Sequence, residues 1–388
     1  MKQVKNILLL VIFMLFVSKT LEADIILGPY PQAVTQNSAI IMLECNNTEP
    51  VSCLFNIKGE KTTRIGSSEY KKISANTFVF KLYLENLKPG TEYGLKAAQR
   101  GMDEATNSIY FSTLASAGNK FTFSIMGNTK GNSELASKLA TTVKAYKPSF
   151  SLFLGDIASS PAYKSLKGEF FTKEMIEYIQ KSPFFNAVGK GEGWKENTQA
   201  FTCSPKLKDK NVESSNNDPY YSFEAGDACF LVLSTETDMR EGSKQWEFAK
   251  NTLAQTNKKW KIVSFNAPAF CSQCNHFNKQ MQEASKELFS EYNVNLVLTS
   301  TDDAYEHIVA NNIHYLLISS VGTMTQSQNN NDKVANDENK EMRLETGKQQ
   351  IIKTEQGQHF AISEVSSKEL VITVYSAANT EVEKIIIN

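Results

Sequence analysis

The stretch Phe121–Asp156 constrains the fold more than any other part of the chain. Its first apolar run, Phe121–Met126, stops at Gly127-Asn128. Residues Ser133–Tyr146 then place Leu135, Ala136, Leu139, Ala140 and Val143 on one helical stripe. After Lys147-Pro148 a second apolar run, Phe150–Leu154, stops at Gly155-Asp156. Strand, helix and strand in so short a span make a βαβ unit, whose crossover requires parallel strands. Sheets of this kind collect ligands at the carboxyl ends of their strands. Both strands here end in glycine followed by a small polar residue.

The pattern continues to the end of the chain. Pro183–Val188 is a third apolar run and stops at Gly189-Lys190-Gly191-Glu192. Trp260–Phe265 stops at Asn266, and Val294–Leu298 at Ser300-Thr301-Asp302-Asp303. Helical stripes cover Lys244–Leu253 and Lys279–Tyr292, the latter through Met281, Ala284, Leu288 and Phe289. Strand patterning marks Tyr220–Phe223, Ala228–Leu233, Ile313–Ser319, His359–Val365, Leu370–Ser376 and Val382–Ile387. In a mixed α/β sheet the strand ends at Asn128, Asp156, Lys190, Asn266 and 301–303 are expected to converge on one crevice. Residues 323–349 are rich in Asn, Gln, Lys and Glu and lack apolar periodicity. They predict a polar surface loop, taken here to about residue 356.

The amino-terminal third reads differently. Lys2 and Lys5 precede an apolar run from Ile7 to Val17, and Leu21-Glu22-Ala23 closes it with a small residue. This predicts a secretory signal peptide over residues 1–23, because the run falls short of the roughly 20 residues that span a bilayer. No other stretch is apolar enough to span a membrane. The mature chain is therefore expected outside the cytoplasm, secreted or periplasmic. From Asp24 to about Leu114 the pattern is all strand and turn, with alternation in Ser38–Glu44 and Thr77–Leu84. Pro89-Gly90 sets a turn, and Tyr93 is placed to hydrogen-bond back to it, as in the tyrosine corner of a fibronectin type III-like sandwich. Ala115–Lys120 is a small, polar linker, which divides the chain into residues 24–116 and 117–388.

Six cysteines suit disulfides in an exported chain. Cys45 and Cys53 flank a short polar turn and predict a local hairpin bridge. Cys203 and Cys229 are spaced to close the loop before Tyr220. Cys271 and Cys274 form a C-x-x-C with His276 nearby, and no second C-x-x-C completes a zinc site, so a structural pair is expected. Asn46-Asn47-Thr48 is a formal glycosylation sequon. Lys and Arg number 41 against 42 Asp and Glu. That balance provides no basic excess for nucleic acid, so no nucleic-acid partner is expected.

Taken in order, these motifs resemble the purple acid phosphatases, the two-domain branch of the calcineurin-like metallophosphoesterases. The resemblance runs through Gly28-Pro29, Phe111-Ser112-Thr113, Tyr221-Ser222-Phe223 and Ala304-Tyr305-Glu306. It implies an α/β protein in which a fibronectin type III-like β-sandwich precedes an αββα metallophosphoesterase-like domain. The family's motifs GDxG, GDxxY, GNH(D/E), VxxH and GHxH hold iron and a second metal. Their slots here are Gly127-Asn128-Thr129-Lys130, Gly155-Asp156-Ile157-Ala158-Ser159, Gly189-Lys190-Gly191-Glu192, Val263-Ser264-Phe265-Asn266 and Ser300-Thr301-Asp302-Asp303. By this alignment Asp156 alone keeps the family's ligand identity, and every imidazole is gone.

A two-metal phosphatase needs anionic and imidazole ligands to hold its ions and to acidify a bound water. Without them, affinity for iron or zinc collapses, and Lys190 adds a positive charge to the vacated slot. An ion pair between Lys190 and Asp156 is the expected filling. Asp156, Asn128, Asn266, Asp302 and Asp303 are the candidate ligands for any metal that remains. Their oxygens suit Ca²⁺ or Mg²⁺ better than Fe, Zn or Mn, although no cofactor is the leading expectation. Lys190, with Lys130 and the backbone N–H groups of 189–191, is instead a candidate contact for an anion. Glu192 and His276 are the candidate acid–base groups, and His307 is a further histidine near the crevice without an orienting partner in sequence. The reading is therefore a pseudophosphatase that binds or scaffolds, with a phosphorylated small molecule or a protein as partner. Its alternative is a metal-dependent acid phosphatase with a rebuilt or single-metal site. A third reading places function on the sandwich or the polar loop.

Overall fold

Alternating apolar and polar residues fold the amino-terminal segment as strands with one wet face. In this computed structural model, which describes residues 23–129, 132–203, 218–272, 277–300, 304–320 and 349–388, eight strands fill that segment. They are β1 (Ile25–Gln32), β2 (Ala39–Cys45), β3 (Val51–Asn56), β4 (Thr63–Ser67), β5 (Tyr70–Ser74), β6 (Thr77–Leu84), β7 (Glu92–Gln99) and β8 (Ile109–Ser112). One sheet runs β1-β2-β6-β5 and the other β4-β3-β7-β8, all antiparallel. Ile41, Leu43, Phe55, Phe80, Leu82, Leu95 and Phe111 fill the space between them. Tyr93 Oη accepts from Lys88 N at 2.8 Å, the turn-to-tyrosine bond expected from the Pro-Gly turn.

The rest of the described chain forms two larger sheets. Its strands are β9 (Phe121–Met126), β10 (Phe150–Phe153), β11 (Phe184–Asn186), β12 (Tyr221–Ala225), β13 (Ala228–Val232), β14 (Trp260–Ser264) and β15 (Leu296–Thr299). They continue as β16 (Ala304–Ala310), β17 (Ile313–Ile318), β18 (Gln349–Gln356), β19 (His359–Val365), β20 (Leu370–Ser376) and β21 (Glu381–Ile387). One sheet has the order β11-β10-β9-β19-β20-β21, the other β12-β13-β14-β15-β17-β16-β18. The opening βαβ unit is present as read: β9 and β10 are parallel, and α1 (Ser133–Lys144) crosses between them. Asn132 caps α1 by accepting from Leu135 N.

The continuous apolar character of β9 and β10 has a simple cause, since both faces are covered. Phe123 and Phe150 stack at 5.3 Å and meet Phe230 of the facing sheet edge-on. Phe223 stacks on Phe230 at 4.7 Å. Burial of each such ring contributes about 2 kcal/mol. On the outer faces, α1 and α2 (Lys173–Ile179) cover the first sheet, while α3 (Lys244–Gln255) and α4 (Lys279–Ala284) cover the second. The result is helix, sheet, sheet, helix. Sandwich and layers are joined by a buried carboxylate. Glu44 on β2 accepts from Lys167 Nζ at 2.7 and 2.8 Å and from Tyr163 Oη at 2.8 Å.

Three sequence expectations are corrected. Residues 349–356 are not loop but an edge strand, β18, paired antiparallel with β16. Pairing on one side only leaves its side chains exposed, so polar composition is no bar to a strand there. Residues 321–348 lie outside the described part. Cys45 and Cys53 do not bridge a hairpin: β2 and β3 belong to opposite sheets, and both cysteines are buried thiols that burial pushes up to about 12. Cys203 and Cys229 are not disulfide-bonded either; Cys203 Sγ lies 3.6 Å from Met42 Sδ, while Cys229 is on β13. Cys271 is disulfide-bonded, whereas Cys274 and His276 lie outside the described residues. No helix among the described residues is long and apolar enough to cross a membrane.

Candidate functional site

The carboxyl ends of β9, β10, β11, β14 and β15 meet at one end of the paired sheets. Asn128 N donates to Gly155 O at 3.0 Å, and Ser300 N to Asn266 O at 2.9 Å. Asn266 Nδ2 donates to Leu154 O at 2.8 Å and Ser300 O at 3.0 Å, tying the two sheets together. Asn128 and Asp156 both have left-handed backbones, with φ of 51° and 54°. Asn and Asp bear that conformation better than other residues with a Cβ, yet it still costs about 1 kcal/mol each. The paired strand ends therefore share one unusual turn.

Asp156 is buried, and its Oδ1 accepts from Gly191 N at 2.8 Å. The loop that supplies this donor is pressed onto the carboxylate. A Cβ on Gly189 would lie 2.4 Å from Asp156 N and 2.7 Å from Asp156 Oδ1. One on Gly191 would lie 2.4 Å from Ala158 O and 3.0 Å from Asp156 Oδ1. Only glycine fits at either position without moving backbone.

Next to it, Glu192 is completely buried. Its Oε1 accepts from Gly189 N at 2.9 Å and Asn186 Nδ2 at 3.1 Å. Its Oε2 has no hydrogen-bond partner among the described residues. Burial pushes the carboxyl up to about 7, opposed by the Gly189 N–H and assisted by the negative charge of Asp156. Sequence reasoning singled out Glu192 but not Asn186, which holds it; the GxGE spacing gave no sign of that bond.

Lys190 is exposed, and no ion pair joins it to Asp156 among the described residues. The expected Lys190–Asp156 pair is not among the described contacts, while the Gly191 N–H supplies Asp156 with a neutral donor. His307 is also corrected. It sits within β16, with Nδ1 2.9 Å from Glu383 Oε1 and Nε2 3.0 Å from His314 Nδ1, so it has orienting partners after all. Tyr305 Oη donates to the other oxygen of Glu383 at 2.7 Å. This chain joins β16, β17 and β21, and burial pushes His314 down. Lys130, Asp302 and Asp303 lie outside the described residues.

The residues that are described do not fit a pair of transition-metal ions. Asp156 alone keeps its family ligand identity, and its Oδ1 already accepts from the Gly191 N–H. Asn266, in the slot of an imidazole, uses its amide N–H groups on carbonyls and so presents donors rather than lone pairs there. Among the described residues no three His, Cys, Asp or Glu side chains converge to hold a metal.

No family profile matches the chain. Curated relatives do. Over 101 residues it is 30% identical to purple acid phosphatase 15 of Arabidopsis thaliana, covering 25% of this chain and 19% of that protein. Over 234 residues it is 26% identical to the Arabidopsis protein named probable purple acid phosphatase 20, covering 57% of this chain and 53% of the relative. The chain resembles the purple acid phosphatases. A third purple acid phosphatase relative, from the same plant, is named probable inactive purple acid phosphatase 9, and is 26% identical over 199 residues, 42% of this chain and 30% of its own. These matches span a fifth to about half of the relatives' lengths. The fold likeness is broader. The purple acid phosphatase PPD1 from yellow lupin (Lupinus luteus) superposes with a TM-score of 0.75 at 14% identity, over 92% of this chain and 74% of that one. PhoD superposes with a TM-score of 0.62 at 10% identity, over 92% and 91%.

Proposed function

We propose that this chain is an exported pseudophosphatase, a purple acid phosphatase-like protein that binds or scaffolds rather than hydrolyses. In this reading residues 24–116 are a fibronectin type III-like domain and residues 117–388 a metallophosphoesterase-like domain with its metal centre dismantled. The carrying observation is the contact of Gly191 N with Asp156 Oδ1, made through a loop with no room for a Cβ at Gly189 or Gly191. That hydrogen bond takes up Oδ1 of Asp156, the one residue that keeps its family ligand identity. Without metal ions, none of the described residues supplies the divalent charge that would acidify a water. Partners of this class are a phosphorylated small molecule or a protein.

A second reading is a metal-dependent phosphoric monoester hydrolase with a rebuilt site. Glu192 Oε2, buried beside Asp156 and not hydrogen-bonded among the described residues, is the oxygen that favours it. With Asp156 and residues 302–303 it would suit Ca²⁺ or Mg²⁺. The mature protein, beginning at Asp24, separates the two. Elemental analysis is expected to give substoichiometric Fe, Zn, Mn, Mg and Ca, and aryl phosphate turnover equal to that of Asp156→Ala with each metal added. Stoichiometric metal with turnover that depends on Asp156 would establish the second reading instead.

A further inference from the structure

Away from the strand ends, a groove of about 1030 Å³ runs between the outer face of the β4-β3-β7-β8 sheet and the far corner of the layered part. Its walls carry Lys58 and Lys96 from the sandwich and Lys144, Lys147 and Lys181 from the helix ends opposite, against one acid, Glu92. Among the described residues, five cations to one anion is a marked local excess in a chain whose net charge is -1. Lys144 lies 3.4 Å from Glu177, an exposed pair worth little. Lys58, Lys96, Lys147 and Lys181 make no ion pair among the described residues. Lys147 also has a left-handed backbone, φ 50°, where glycine would be at ease. The lysine side chain is kept there at a conformational cost.

The floor is built for stacking. Tyr110 on β8 lies directly across from Gly94 on β7, and a Cβ on Gly94 would meet Tyr110 Cε1 at 3.1 Å. The ring therefore lies over the glycine with 48% of the residue exposed. Asn56 is next in the same cross-strand row, and Leu54 pairs with Lys96 in the neighbouring one. Asn56, Thr62, Ser108, Ser112 and Ser149 add amide and hydroxyl groups around the ring.

We infer that this groove binds an acidic polysaccharide, a chain of sugars bearing sulfate or carboxylate groups on both sides. Sugar rings present an apolar C–H face to an aromatic ring and hydroxyls to amides and side-chain hydroxyls. Lysines on both walls meet charges that alternate along such a chain. Lysine is a point charge on a flexible stem, suited to dispersed anions, and the groove has none of the arginine forks that select a single bidentate group. An acidic peptide adding as a strand would hydrogen-bond along the edge of β8, whereas Leu54, Asn56, Lys96 and Tyr110 offer side chains on the sheet face that floors the groove. The inference does not depend on the state of the strand-end crevice.

The test uses the purified mature chain and a heparin octasaccharide, titrated calorimetrically at two salt concentrations. Binding is expected to weaken several-fold on raising salt from 50 to 300 mM, as the screening length shortens. The paired reversal Lys96→Glu with Lys147→Glu, both exposed, should weaken it at least tenfold, and Tyr110→Ala three-fold or more. Lys250→Glu, exposed on α3 over the other sheet, should leave it unchanged. Lys96→Gln with Lys147→Gln repeats the measurement without charge reversal, and thermal melts check that each variant is folded. No binding by the folded wild type overturns the inference. Equal binding by the reversal, or a poly-glutamate peptide that binds as well and ignores Tyr110→Ala, does so too.

Discussion

Glu192→Gln is the substitution on which the account of the crevice can fail most cleanly. The folded carboxyl titrates at about 7, against an ordinary value of 4.5, and the first cause is burial. An acid raised in this way favours folding most fully below about 4.5, where both states are protonated. The contribution is lost as pH rises through 7, because the folded state must then hold an anion that water would solvate better. The span from 4.5 to about 7 corresponds to about 3 kcal/mol at order-of-magnitude precision. Glutamine keeps the oxygen that accepts from Gly189 N and Asn186 Nδ2, but carries no charge to desolvate. Urea unfolding between pH 4.5 and 8 should show near parity at the acid end and a gain of about 3 kcal/mol for the variant at pH 8. A variant less stable than wild type at pH 8 would instead mean that the N–H donors outweigh burial and hold Glu192 as the anion.

Two further outcomes follow from contacts described above. Gly191→Ala drives a methyl group against Ala158 O and should destabilise by about 3 kcal/mol or prevent folding, whereas Gly168→Ala, with nothing within 4 Å, should change melting little. Lys167→Met strands the Glu44 carboxylate at the join between sandwich and layers, costing about 3 kcal/mol by denaturant unfolding, and Glu44→Gln in the same chain should recover most of it.

The frame was legible because it is local. Period and punctuation in Phe121–Asp156 identify two parallel strands and their helix, and a Pro-Gly turn with Tyr93 identifies its own hydrogen bond. What escaped is set by distant packing. His307 and Glu383 are 76 residues apart in sequence, so nothing near His307 announces its partner. Residues 349–356 became a strand because β16 offered an edge, not because their composition asks for one. Lys190 and Asp156 look like a pair when charges alone are counted, but Gly191, one residue on, reaches the carboxylate with its backbone at no cost in side-chain order. The apolar runs before Gly127, Gly155 and Gly189 are strands within a residue or two of where they were read, but which atoms meet beyond them was not legible.

The glycine at position 191 also bears on reversibility. It stands in the slot where the resembled family carries a histidine, and its missing Cβ is space that Ala158 O now uses, at 2.4 Å from where that atom would be. Writing histidine back would therefore not restore the catalytic-site imidazole that the family carries there; its Cβ would collide with the main chain at Ala158. On the proposed pseudophosphatase reading, restoring that imidazole would first require the backbone at 158 and 191 to move apart. A site altered only in its side chains could be repaired piecemeal. Here the contact is backbone against backbone, so on that reading repair would need a main-chain shift as well as a substitution.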